Sequence, residues 1–214
     1  IEKGEVWIND TLATMGTKVM PGDTVMVHHT TITPCQKEYL LAFHKPAGIV
    51  CTTSKIDKNN VIDYLNFPER IYPIGRLDKE STGLLLLTNN GQLMDDILRG
   101  SNYHEKEYIV HVNKPITDSV LQAMAQGVPI LDTITRPCKI RRMGKDCFYI
   151  TLTQGLNRQI RRMCEYFDYR VTSLKRIRIM NIELGSLPVG KWRELTTSEI
   201  KTLKNLAQNK GEAE

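Results

Sequence analysis

The stretch Gly75-Arg76-Leu77-Asp78-Lys79-Glu80-Ser81-Thr82-Gly83 puts one carboxylate, Asp78, in a Gly- and Arg-bounded loop just ahead of four consecutive leucines, Leu84–Leu87. The leucine run is short, apolar and closed by Asn89-Asn90-Gly91, which suits a strand buried on both faces. A carboxylate at the mouth of such a strand sits on a rigid element close to low-dielectric surroundings, where it could serve as a nucleophile or a base. Taken alone, an Arg-x-Asp loop is more often a plain ion pair between Arg76 and Asp78.

Two further segments change that balance. Glu105-Lys106-Glu107-Tyr108-Ile109-Val110-His111-Val112 sets Tyr108, Val110 and Val112 at every second position, a half-buried strand that carries a phenol on one sheet face. Gln154-Gly155-Leu156-Asn157-Arg158-Gln159-Ile160-Arg161-Arg162-Met163 is a glycine turn opening a basic helix, with Ile160, Met163, Cys164 and Phe167 on its apolar side. In this order, Gly-Arg-Leu-Asp, Lys-x-Tyr and Asn-Arg-Gln-Ile-Arg-Arg-Met resemble the RsuA-type RNA pseudouridine synthase family. Lys45-Pro46-Ala47-Gly48-Ile49-Val50-Cys51-Thr52-Thr53 resembles the first motif of the same group, with His44 where the group carries Asn. His44 itself reads as a polar residue entering a turn. His104-Glu105-Lys106-Glu107-Tyr108, Gly127-Val128-Pro129-Ile130-Leu131 and Arg178-Ile179-Met180-Asn181 are most similar to the RluF branch. The resemblance covers residues 38–205.

What the resemblance implies is an isomerase that breaks the C–N glycosidic bond of a uridine, turns the base, forms a C–C bond and removes the proton from C5. It implies an α+β domain built on a mainly antiparallel mixed sheet, and no cofactor or metal. The family's essential aspartate maps to Asp78, acting on the substrate as a nucleophile or by removing a sugar proton. Arg161 matches the motif arginine that keeps this carboxylate charged. Tyr108 would stack on the uracil, take part in removing the C5 proton, or both. Arg76 resembles the arginine that fills the space left by a flipped base, and Ile160 would pack beneath the base. Arg158 and Arg162 would contact RNA, and Lys45 is either a strand-end lysine or a phosphate contact. The RluF-like segments point to a uridine in large-subunit rRNA, with a tRNA anticodon as a second substrate, and a small-subunit rRNA target as the alternative. Two other classes compete: a non-catalytic S4-type RNA-binding protein, and a hydrolytic glycosidase. The glycosidase needs a second carboxylate, for which Glu80 and Asp95 are the nearby candidates.

Composition agrees with an RNA-directed protein. The 214 residues carry a net charge of +5, but residues 136–193 hold 14 Lys/Arg against 4 Asp/Glu, so the positive field is concentrated around the Asn-Arg-Gln-Ile-Arg segment. Its clusters are Arg136–Lys145, Arg158–Arg162 and Lys175-Arg176-Arg178, all read as polyphosphate contacts. The hydrophobic content of 41% supports a sizeable core. No apolar stretch approaches the roughly 18 residues of a membrane span, and no basic-then-apolar leader opens the sequence, so a soluble, cytoplasmic protein is expected. A monomer is expected. Five cysteines, Cys35, Cys51, Cys138, Cys147 and Cys164, show no metal-ligand spacing and read as free thiols.

Residues 1–33 contain two strand-like runs, Gly4–Asp10 and Val19–Val27, joined through Pro21-Gly22-Asp23, and resemble the second half of an S4 RNA-binding module. A linker around Pro34-Cys35-Gln36-Lys37 leads to a catalytic domain over residues 38–208. There, strands are expected at Tyr39–Phe43, Ile130–Ile134, Lys139–Arg142, Phe148–Leu152 and Lys175–Leu184. Helices are expected at 60–66, 92–98, 117–126, 157–167 and 196–206, with Thr117 and Thr196 as N-caps. The tail Asn209–Glu214 is polar and expected to fray. Strands outnumber helices without alternating with them, which favours α+β over a doubly wound sheet.

Overall fold

The computed structural model describes residues 1–32, 37–54, 56–99 and 103–208. The linker residues Pro34–Gln36, Cys35 among them, and the tail from Asn209 lie outside the described residues. The chain divides into two compact units, Ile1–Glu38 and Tyr39–Glu214.

In the first unit β1 (Val6–Ile8), β2 (Thr11–Leu12), β3 (Val25–Val27) and β4 (Thr30–Ile32) form an antiparallel sheet in the order β2-β1-β3-β4. The β3–β4 connection is the pair His28-His29, both with positive φ, as a tight two-residue hairpin turn requires. Asn9 ties the sheet to the Pro-Gly-Asp turn: its amide donates to Asp23 Oδ1 and its carbonyl oxygen accepts from the Thr24 backbone. The expected run Val19–Val27 is strand only from Val25, because Asp23 turns back to accept the Met20 N–H.

The second unit is built on one nine-stranded mixed sheet. Its path runs β11 (Lys139–Arg142), β12 (Cys147–Leu152), β8 (Lys106–Val112), β13 (Val171–Ile179), β7 (Thr82–Thr88), β5 (Leu40–Lys45) and β15 (Trp192–Glu194). Two short strands join it off this path: β6 (Tyr72–Ile74) on β7 and β14 (Ile182–Glu183) on β13. Every pairing is antiparallel except β7 with β13, where the sheet changes sense. A separate hairpin pairs β9 (Pro129–Ile130) with β10 (Thr133–Ile134). The α+β architecture expected from the sequence is the one observed.

The leucine run explains the middle of the sheet. Leu84–Leu87 are all fully buried, and their alternation sends Leu84 and Leu86 to one core and Leu85 and Leu87 to another. The first core packs under α2 (Gly91–Leu98) and α5 (Thr197–Gln208); the second packs under α1 (Val61–Leu65) and includes Leu41, Phe43, Cys51 and Leu77. A third core joins β8, β12 and β13 to α3 (Asp118–Gln126) and α4 (Gln159–Tyr166). At roughly 1.5–3 kcal/mol for each fully buried leucine, β7 is a firmly anchored element following the Asp78 loop.

Helix starts follow the expected chemistry. Asn60, Asn90 and Thr117 accept backbone N–H groups from the first turns of α1, α2 and α3. Thr196 and Glu199 form a capping box at α5, each side chain accepting the other's backbone N–H. Two expected single strands are hairpins instead. Residues 130–134 turn at Leu131-Asp132, both with positive φ, and residues 175–184 turn at Met180, φ 52. Strand β15, with no alternation long enough to show in the sequence, completes the edge beside β5.

Candidate active site

Asp78 lies in the connection between β6 and β7. Its carbonyl accepts the Ser81 N–H at 3.0 Å, closing a turn that lifts the carboxylate off the sheet end. Leu77 is buried in the β5–β7 core while Arg76, Lys79 and Glu80 are exposed, so the loop is anchored by its one apolar side chain and presents polar groups around Asp78. The carboxylate itself is partly covered, with 29% of its side chain exposed.

The first turn of α4 faces this carboxylate. Arg158, the residue before α4, takes a left-handed conformation at φ 50 and makes no side-chain cap. Its Nη1 lies 3.9 Å from Asp78 Oδ2 and 3.4 Å from Glu80 Oε2. A non-glycine residue held in this region costs energy, and such positions gather at functional sites. Arg161, one turn on, is 11% exposed and places Nε 3.6 Å from Asp78 Oδ2. Its other nitrogens donate to Ser81 Oγ at 3.3 Å and to the Val171 carbonyl at 3.4 Å. The Nε–H is buried and has no hydrogen-bond partner, which leaves a donor poised just beyond bonding range of the carboxylate. Arg162 points elsewhere, folding back onto Asn157. Neighbours on a helix stand about 100° apart, so only one of the two can meet Asp78.

Ile160 is buried with Met163 and Cys164 in the core beneath α4. Tyr108 is half-buried on β8 and packs against both the α4 core and the β5–β7 core. Two residues away along the strand, Lys106 is pushed down to about 8 by burial and by the Arg176 charge. Lys45 has no exposed surface: its ammonium donates to the Pro46 carbonyl at 2.8 Å and to the Lys79 carbonyl at 3.3 Å. Of its two sequence readings, this geometry is that of a strand-end lysine holding the Asp78 loop, with no surface for a phosphate. His44 is buried on the same strand, bonded through Nδ1 to the Leu187 carbonyl, with burial holding it below the usual histidine range.

The basic clusters are more occupied than composition suggests. Arg178 is bound by Glu107 and Glu105, each at 2.9 Å, and Arg176 is buried, so two of the three cations in Lys175-Arg176-Arg178 face protein. Arg142 is paired with Asp118. Sequence reasoning read these as phosphate contacts and did not single out Arg176; a charge run does not reveal which of its members turn inward. The exposed basic groups around Asp78 include Arg76, Lys79 and Arg158, with Arg162 partly exposed on α4. Among the described residues no group of His, Cys, Asp or Glu has the arrangement of a metal site, and no helix is long and apolar enough to cross a membrane.

A loop carboxylate ahead of the central strand β7 is met by two arginines from the start of α4, with Tyr108 packed between the two adjoining cores. Residues 39–166 match the model of the RNA pseudouridylate synthase family, and the chain belongs to that family as one of its RsuA-type members. It is 50% identical to the dual-specificity RNA pseudouridine synthase RluF of Escherichia coli K12, over 98% of this chain and 73% of that protein. It is 33% identical to the ribosomal large subunit pseudouridine synthase B of Bacillus subtilis, over 98% of this chain and 89% of that one. A crystal structure of a pseudouridylate synthase superposes with a TM-score of 0.74 at 28% identity, covering 94% of this chain and 90% of the other. The chain is thus an RNA pseudouridine synthase, an isomerase, and more similar to RluF than to the B synthase. The readings as a non-catalytic binder and as a glycosidase fall away.

Proposed function

We propose that this synthase isomerises a uridine in large-subunit rRNA and accepts a tRNA anticodon as a second substrate, with Asp78 as the essential carboxylate. The observation that carries the site assignment is the unpartnered, buried Arg161 Nε–H at 3.6 Å from Asp78 Oδ2. A cation fixed by Ser81 and Val171 and left with one free donor is preorganised to orient the carboxylate while it attacks the nucleoside or takes a sugar proton. The substrate uridine must leave its stack, at a cost of a few kcal/mol, and the exposed Arg76 beside Asp78 is placed to fill the gap. Tyr108 then meets the base, Ile160 supports the site from below, and Arg158 and Arg162 hold phosphates. After C–C bond formation the new ring still carries its C5 hydrogen, and the Tyr108 phenol is the group assigned to its removal.

The RluF and B-synthase similarities support the large-subunit target, and the dual-specificity name of the RluF relatives supports a second RNA. Residues 1–33 act as an S4-like RNA-binding segment preceding the catalytic domain at 38–208, and the protein works as a monomer in the cytoplasm. Mapping pseudouridines in total RNA from a strain lacking the gene tests the target. Loss of a single large-subunit site, with or without a tRNA site, is the expected result; loss of a small-subunit site instead would refute it.

A further inference from the structure

Arg176 is 2% exposed at the centre of the sheet, on the strand where the sheet changes sense. Register places it opposite Tyr108 of β8 on one side and Gly83 of β7 on the other. Its Nε donates to the Leu84 carbonyl at 2.7 Å and its Nη1 to the Arg76 carbonyl at 3.4 Å. These two carbonyls lie on either side of Asp78, one in the loop's first residues and one just past its end. Immediately beyond Arg176 the β13–β8 register slips, a bulge of the kind that re-aims a side chain. The contact is close: a Cβ built at Gly83, which has φ +109, would lie 2.2 Å from the Arg176 carbonyl oxygen.

The guanidinium is unusual in its company. Among the described residues it has no carboxylate partner, and its buried Nη2 has no hydrogen-bond partner. A buried, unpaired cation is costly, and a well-packed apolar side chain of similar volume would stabilise the fold at least as well. The charge is therefore not explained by folding alone. We propose that Arg176 is a positioning residue for the isomerisation: it clamps both ends of the Asp78 loop to the strand that lies in register with Tyr108, fixing the carboxylate relative to the phenol.

This proposal rests on the assignment of Asp78 given above, and the test separates the two. Arg176→Met, Arg176→Lys and Asp78→Asn would be compared by melting, by RNA affinity and by single-turnover release of tritium from C5-labelled uridine in a transcript. The clamp predicts a rate lowered about thirtyfold or more in R176M and about three- to tenfold in R176K, with RNA affinity within about threefold of the parent in both. Melting of R176M is expected at or above that of R176K. A purely structural Arg176 would make rate follow melting, with Met at least as active as Lys. Met matching or exceeding Lys in rate, either variant turning over at the parent rate, or affinity falling in step with rate would overturn the proposal. Should R176M not fold, R176K decides alone by a reduced rate at unchanged affinity. An inactive D78N beside a fully active R176M sinks the clamp only, whereas an active D78N sinks the assignment beneath it.

Discussion

Replacing Arg161 by alanine should slow isomerisation far more than replacing Arg162. The separation of 3.6 Å between Arg161 Nε and Asp78 Oδ2 gives a Coulomb attraction of about 4–5 kcal/mol at an effective dielectric constant near 20. With part of the carboxylate open to water and Arg158 left as a second cation at 3.9 Å, about 2–3 kcal/mol of that is expected to be lost. If the charge on Asp78 matters in the transition state, this corresponds to roughly a 30- to 150-fold slower reaction. Among the described residues the Arg162 side chain hydrogen-bonds to Asn157 and not to Asp78, so its alanine variant should lose affinity for RNA in a salt-dependent way and little rate at saturating RNA. The assay is single-turnover tritium release at saturating transcript, paired with a binding titration. Equal rate losses in the two variants would place both arginines on the phosphate track and remove Arg161 from the site.

The phenol of Tyr108 can be separated from its ring: Tyr108→Leu should lose about 1–3 kcal/mol of flipped-base binding, the worth of a stack. Tyr108→Phe should bind normally yet stall before C5 proton loss, and full turnover by the Phe variant would leave Tyr108 a stacking platform only. Gly83→Ala meets the Arg176 backbone and an unfavourable φ at once, so urea unfolding should show a loss of more than about 3 kcal/mol; a loss under about 1 would mean the strand relaxes freely. Glu199 is held down at about 2, chiefly by the Arg193 hydrogen bonds. Because its folded value lies below the unfolded 4.5, its contribution is full above about pH 4.5 and fades as pH falls toward 2. Glu199→Gln should therefore cost about 1–2 kcal/mol at neutral pH, with a gap that closes through that window; a gap constant with pH would contradict the assigned cause.

Periodicity made much of the catalytic unit legible. The unbroken leucine run announced a strand buried on both faces because nothing polar interrupts it, and Thr117 and the Thr196–Glu199 pair announced helix starts because capping is local chemistry. Asp78 and Arg161 could be singled out because they sit in short ordered motifs, and the structure sets them 3.6 Å apart. What the sequence did not show depends on pairing across distance. Arg176 and Arg178 lie two apart in one basic run, but a bulge, Glu107 on β8 and Glu105 just before it give them different fates, one inward with no carboxylate partner among the described residues, the other bound to acids. Lys45 looked equally like a phosphate ligand until its full burial against the Lys79 carbonyl was seen. The left-handed turn at Arg158 follows from the way Gln159 closes back on the Leu156 N–H, a fit no propensity encodes.

The account stands on one carboxylate, and Asp78→Asn tests it most directly. A neutral amide of the same shape keeps the loop turn, the arginine side chains and the phosphate contacts, so RNA affinity should stay within about tenfold of the parent. Release of C5 tritium from labelled transcript should then fall to background under single-turnover conditions. Substantial tritium release by the Asn variant, at any RNA concentration, would contradict the assignment of the chemistry to Asp78.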